Sequence, residues 1–110
     1  MPVLEFLNGL QKYREDAKHL ARQRQRHAFL IGPFRDEIKG AKVLDIAAHD
    51  GRWSYALAEA GAESVLGIEG RADLVELFDE LPDSTAKERV TLAAEDLFDA
   101  LDRLIAEKQT

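Results

Sequence analysis

The sequence predicts an α/β domain built on a three-stranded parallel sheet, and three observations carry that prediction. Short apolar runs occupy residues 42–47, 64–68 and 90–94, and a helical pattern follows each of them. The runs close on Asp50-Gly51, Glu69-Gly70 and Glu95-Asp96, each a turn pair or an acid. Strands that alternate with helices pair in parallel, and near-continuous apolar strands need cover on both faces. The expectation is therefore three layers, with strand order 3-2-1 and strands one and three at the edges.

The elements read as follows. In residues 3–28 the apolar positions Val3, Phe6, Leu7, Leu10, Tyr13, Ala17, Leu20, Ala21 and Ala28 mostly recur three or four apart, the spacing of an amphipathic helix. Gly9 weakens its first turns, and the basic stretch Arg22 to Arg26 suits the negative end of its dipole. Gly32-Pro33 ends it, and Pro33 then opens a short helix over 33–38 that Lys39-Gly40 closes. Strand one covers 42–47, a helix 52–60, strand two 64–68 and a helix 72–81 that Pro82 stops. A helical turn over 85–88 precedes strand three at 90–94. The last helix runs from 97 to about 108 with Asp96 as N-cap and with Leu97, Leu101, Leu104 and Ile105 facing inward. The whole reads as one domain over 1–110, an N-terminal helical segment (1–41) ahead of a βαβαβα unit (42–110).

Composition narrows the function classes. There are no cysteines, so no disulfide framework or thiolate metal site is expected. The three histidines, His19, His27 and His49, are scattered, and no metal site is expected from them either. No apolar run reaches the roughly 18 residues of a membrane span, and the start has neither the basic region nor the apolar core of a secretory signal. A cytoplasmic protein is expected. The net charge of −6 is unevenly placed: residues 1–42 carry nine Lys/Arg and five Asp/Glu, residues 43–110 six and sixteen. A basic N-terminal segment beside an acidic body could touch nucleic acid, but mutual attraction of the two parts is the plainer reading, and the acidic body repels phosphate backbones, which disfavours nucleic acid as a partner.

The stretch 42–71, KVLDIAAHDGRWSYALAEAGAESVLGIEGR, carries the chemistry. Strand, tight turn, helix, strand and acid is the layout of a βαβ unit that binds a nucleoside, and an acid at the tip of strand two can accept hydrogen bonds from both ribose hydroxyls. Asp45 lies inside an apolar run, where a buried acid costs several kcal/mol unless it is paired or hydrogen-bonded.

Three segments, VLDIAAHDGRW, VLGIEGR and VTLAAEDLFDAL, resemble in order and spacing the first half of a class I S-adenosylmethionine-dependent methyltransferase, a Rossmann-like fold. The likeness covers roughly residues 26 to 100. In that family strand one ends in acid-x-Gly-x-Gly-x-Gly around the methionine part of the cofactor. The resemblance implies that Asp45 is the first acid, Gly51 the last glycine, Glu69 the ribose ligand and Asp96 the adenine ligand, with the Leu97 N–H available to the adenine ring. Ala47 and His49 replace the first two glycines. His49 carries strain if its position needs φ > 0, and its ring could face the cofactor carboxylate. The implied cofactor site is Asp45, Ala47, His49, Asp50, Gly51, Trp53, Glu69, Gly70, Asp96 and Leu97, for S-adenosylmethionine. Each has a plainer reading beside it: Glu69 as surface charge, Asp96 as a cap, Trp53 as packing, and Arg26 and His27 as solvent-facing rather than near the cofactor.

The family's sheet has seven strands, and strand four and those beyond it supply catalytic side chains and the acceptor face. The sequence has no counterpart to them, so it names no catalytic residue and no acceptor, and it reads as the cofactor-binding half alone. Two other functions stay open: a non-enzymatic interaction module, and a fragment of a nicotinamide-dinucleotide oxidoreductase, which would want G-x-G-x-x-G where this chain has AAHDGR. Without a fourth strand, the edge of strand one is open, and a homodimer pairing strand one antiparallel with its symmetry mate is expected.

Overall fold

The structure, a computed structural model, describes residues 4–9 and 17–107. Strands β1 (Lys42–Ile46), β2 (Ser64–Glu69) and β3 (Val90–Ala94) form one sheet in the order β1-β2-β3, with both pairings parallel. This is the expected order, with β1 and β3 at the edges of a Rossmann-like half-domain. The register sets Val43 beside Val65 and Val65 beside Val90, and sets Asp45, Gly67 and Leu92 in the second row of that face. Leu44, Leu66 and Thr91, then Ile46, Ile68 and Ala93, form the rows of the other face.

A 3-10 turn at Glu5–Gly9 and the helix α1 (Ala17–Leu30) precede the sheet. A second 3-10 turn, Gly32–Phe34, runs into α2 (Arg35–Ile38). Helix α3 (Arg52–Glu59) joins β1 to β2. Between β2 and β3 lie α4 (Ala72–Glu76), a 3-10 turn (Leu77–Glu80) and α5 (Thr85–Glu88), and α6 (Leu97–Glu107) follows β3.

Three expectations need adjustment. The helix expected over 3–28 is, over the described residues, a 3-10 turn at Glu5–Gly9 and, from Ala17, the helix α1, which continues past 28 to Leu30. The Ile31 N–H still bonds the His27 carbonyl at 2.9 Å, so the helix stops only against Gly32-Pro33. Positions Val3, Leu10, Tyr13 and Lys108 lie outside the described residues. The helix expected over 72–81 is α-helical only to Glu76, because the tighter turn after it sets Phe78 and Leu81, three apart, on one buried side. Ile105 does not face inward and is 71% exposed. The inward stripe of α6 runs through buried Ala100 and half-buried Leu97, Leu101 and Leu104, and Ile105 shares the outer side with Phe98, seven residues before it.

The main core lies on the Val43–Val65–Val90 face, where Tyr55, Ala56 and Ala58 of α3 meet Leu4, Leu7, Leu20, Ile31, Ile38, Phe78 and Leu81. The Tyr55 ring stacks on Phe6 with centroids 4.0 Å apart and meets Phe78 edge-on at 6.4 Å, while its hydroxyl donates to the Pro82 carbonyl at 2.9 Å. On the other face Ile68 is buried where α6 packs on β2, but Leu44 and Ile46 of β1 remain 41% and 49% exposed. The second face is only partly covered.

Candidate functional site

The site grows from the loop between β1 and α3. The Ala48 N–H donates to the Ile68 carbonyl at 2.9 Å, which carries the sheet ladder one step past β1. The chain then turns through Ala47, His49 and Gly51, whose φ angles are 57°, 59° and 84°. All three positions at which the resembled pattern has glycine are left-handed here, although two of them carry side chains. That conformation costs an L-residue roughly 1–2 kcal/mol. It is held from several sides: the His49 N–H donates to Glu69 Oε1 at 2.8 Å, the Gly51 N–H to the Ala48 carbonyl at 3.0 Å, and the Tyr55 N–H to the Gly51 carbonyl at 2.8 Å.

Asp50 turns inward. Its carboxylate is 2% exposed and receives Arg52 Nε at 2.9 Å, Arg52 Nη2 at 2.7 Å and the Arg52 backbone N–H at 3.2 Å. The side chain thus secures the loop to the first residue of α3. The His49 ring sits with Nδ1 3.6 Å from Asp50 Oδ1 and makes no hydrogen bond through that nitrogen.

At the tip of β2, Glu69 is buried, not surface charge. Its Oε1 accepts from His49, and its Oε2 accepts the Arg71 backbone N–H at 3.2 Å and Arg71 Nε at 3.0 Å. The Arg71 side chain beside it, followed by these backbone donors, holds the carboxyl below its ordinary range despite burial. The neighbouring tip joins on directly, since the Glu95 N–H donates to the Glu69 carbonyl at 3.0 Å. Gly70 is exposed against Glu95, and Asp96 follows. Asp96 caps α6: its Oδ1 accepts from the N–H groups of Phe98 at 2.9 Å and Asp99 at 3.1 Å. Leu97, half-buried, opens that helix.

Asp45 has a different environment. Ser54 Oγ donates to its Oδ2 at 2.6 Å, but burial dominates and pushes the carboxyl above its ordinary range. Ser54 reaches it because β2 has glycine at the facing position. A Cβ on Gly67 would collide with Leu92 and come within 2.8 Å of Ser54 Oγ and 2.9 Å of Ala48 Cβ.

Two clefts flank Trp53, which lines both. One, of about 350 Å³, is apolar apart from Asp45 and is lined by Leu30, Ile31, Ile46, Ala47 and Leu57. That volume falls within the range of small-molecule sites. The other, of about 250 Å³, is polar and lined by Gln23, Arg26, His49 and Arg52. Gln23 is buried there with its Oε1 unpartnered. Arg26 is exposed at the rim, whereas His27, expected at the surface, is buried with its ring 6.4 Å from the Trp53 ring. Burial, with the Arg35 charge as a second cause, lowers the His27 pKa. Among the described residues no group of three or more His, Cys, Asp or Glu is placed to hold a metal ion.

The fold therefore gathers Asp45, Ala47, His49, Gly51, Glu69 and Gly70 at adjoining strand tips with Asp96 and Leu97 beside them, puts Trp53 between the clefts, and pairs the buried Asp50 side chain with Arg52. Sequence reasoning missed Ser54, Arg71 and Gln23. Arg71 stands two residues after Glu69 and could have been found by that spacing; nothing local marks Gln23.

No protein-family model matches the sequence, and no curated protein matches it. Among solved structures, the chain is similar to the DhpI-SAM-HEP complex at 23% identity and TM-score 0.46, over 86% of this chain and 38% of that one. It is similar to the DhpI-SAH complex at 22% identity and TM-score 0.45, over 89% of this chain and 47% of that one. The chain thus spans less than half the length of either structure.

Proposed function

We propose that this chain is the cofactor-binding portion of an S-adenosylmethionine-dependent methyltransferase of the cytoplasm. S-adenosylmethionine, or its demethylated product, binds outside the carboxyl ends of the three parallel strands, where folds of this kind place ligands. One observation carries the reading: a loop left-handed at residues 47, 49 and 51 is pinned against a buried, ionised Glu69 at the next strand tip. The 47–51 backbone follows the methionine portion, Glu69 takes the ribose hydroxyls, and Gly70, Asp96 and the Leu97 N–H border the adenine. Asp45 and Trp53 line the cleft beyond the loop, on the side of the reactive sulfonium. The sulfonium is already activated, so the protein's task is in-line placement of an acceptor. The acceptor and any catalytic base lie outside what these residues provide.

Calorimetric titration with S-adenosylmethionine, S-adenosylhomocysteine and NAD tests this. Binding of the first two and not the third is expected. Absence of binding by any adenosine compound at roughly millimolar concentration sinks the proposal in favour of a non-enzymatic interaction module. Preferential binding of NAD moves it to the oxidoreductases.

The assembly reading belongs with it. Among the described residues no helix is long and apolar enough to cross a membrane. On the described chain β1 pairs only with β2, and Leu44 and Ile46 stay exposed on its second face. These support a two-fold homodimer in which β1 pairs antiparallel with its symmetry mate.

A further inference from the structure

A carboxylate offers about four lone-pair positions to donors. Three of those of Glu69 are engaged, by the His49 N–H, the Arg71 N–H and Arg71 Nε. The Glu69 side chain is 6% exposed. One position is left, and a pair of vicinal hydroxyls needs two. One donor must therefore leave before a ribose can be held by both oxygens of its diol. The two backbone donors are fixed, His49 by the loop pinned to β2 and Arg71 N–H at the start of α4. The guanidinium is not fixed in this way: the Arg71 side chain is 63% exposed and is free to swing into solvent.

We propose that the Arg71 guanidinium is a latch on the ribose acid, occupying the place of one hydroxyl and setting how strongly the site prefers a ribose to a deoxyribose. This rests on the reading of Glu69 as the ribose ligand. A diol displaces the latch and loses the strength of one ion pair whose guanidinium side is exposed. A sugar with a single hydroxyl uses the vacant position and leaves the latch closed. Discrimination between the two sugars is thus weakened by Arg71, and removing its charge sharpens it.

The test compares wild type and Arg71→Gln, with Arg71→Lys as a variant that keeps the cation, for binding of adenosine and 2′-deoxyadenosine by calorimetry. Arg71→Gln is expected to bind adenosine roughly two- to fivefold more tightly, the range of an ion pair whose cation is solvent-exposed, and to bind 2′-deoxyadenosine unchanged. Wild-type affinity for adenosine, a neutral ligand, is expected to rise with added salt, which screens the pair, while that of Arg71→Gln stays flat; Arg71→Lys should lie between the two. Equal gains for both nucleosides, no gain for either, or weaker adenosine binding by Arg71→Gln overturns the latch and leaves the ribose reading of Glu69 intact. Binding of neither nucleoside by wild type or by a folded Arg71→Gln overturns the ribose reading itself, and the latch with it.

Discussion

The backbone N–H of His49 and the carboxylate of Glu69, twenty residues apart in the chain, are joined by a 2.8 Å hydrogen bond. It ties the strained loop after β1 to the tip of β2, so the acid that would meet a ribose also holds the backbone that would meet the rest of the ligand.

Replacing Glu69 by Ala leaves the His49 N–H and the Arg71 donors without their acceptor. Unfolding stability is expected to fall by about 1–3 kcal/mol. Glu69→Gln, which still offers an oxygen to His49, should lose less. Because the folded pKa of Glu69 lies below its unfolded value, its ionic contribution is present above the unfolded pKa and disappears as pH falls through the folded one. The gap between wild type and Glu69→Gln in urea melts should therefore narrow from pH 7 toward about pH 3. Identical melts of wild type and Glu69→Ala at pH 7 would show that the bond holds nothing.

Ala47→Gly and His49→Gly restore glycine where φ is already 57° and 59°. Relief of left-handed strain, roughly 1–2 kcal/mol, exceeds the roughly 0.4–1 kcal/mol that glycine's unfolded-state freedom takes back. Each variant is expected to be slightly stabilised and to bind S-adenosylhomocysteine at least as well. A clear loss of stability in His49→Gly would assign the imidazole a supporting role.

Gly67→Ala puts a methyl against Leu92, Ser54 and Ala48 in the contact between α3 and the sheet. Overpacking of this kind costs about 1–3 kcal/mol, and it pushes Ser54 off Asp45. Thermal unfolding reads the first effect. An Asp45 carboxyl titration by NMR reads the second, as a further upward move once the Ser54 donor is lost.

Asp45→Asn keeps an acceptor for the Ser54 hydroxyl and removes a charge that burial opposes. With its folded pKa raised, wild-type Asp45 favours the native state at low pH and surrenders that advantage as pH rises through the raised value. The variant is expected to melt above wild type at pH 7 and with it below about pH 3. An Asn variant less stable than wild type at pH 7 would mean that the ionised form is held by more than Ser54.

The homodimer reading expects light scattering to give twice the mass of the chain, and Leu44→Lys with Ile46→Lys to return the mass to that of one chain without loss of circular dichroism. A wild-type monomer at micromolar concentration refutes it.

Much of this architecture was written in local pattern. Three apolar runs separated by helical stretches determined a parallel sheet in the order observed, and Gly40, Pro82 and Asp96 marked element ends because turn, cap and ring chemistry act within a few residues. Asp45, Gly51 and Glu69 could be named as a group for the same reason: strand tips and the turns after them are set by neighbours in sequence. Tertiary packing decided the rest. It turned Asp50 onto Arg52, buried His27 beside Trp53 and Gln23 at a cleft wall, and left Ile105 outside the stripe of α6. It also let Ala47 and His49 hold left-handed backbone, which no local preference favours, because a carboxylate twenty residues away accepts the His49 N–H. Hydrogen bonds and contacts between distant segments depend on which faces meet when the chain closes, and periodicity along a single segment carries no record of that meeting.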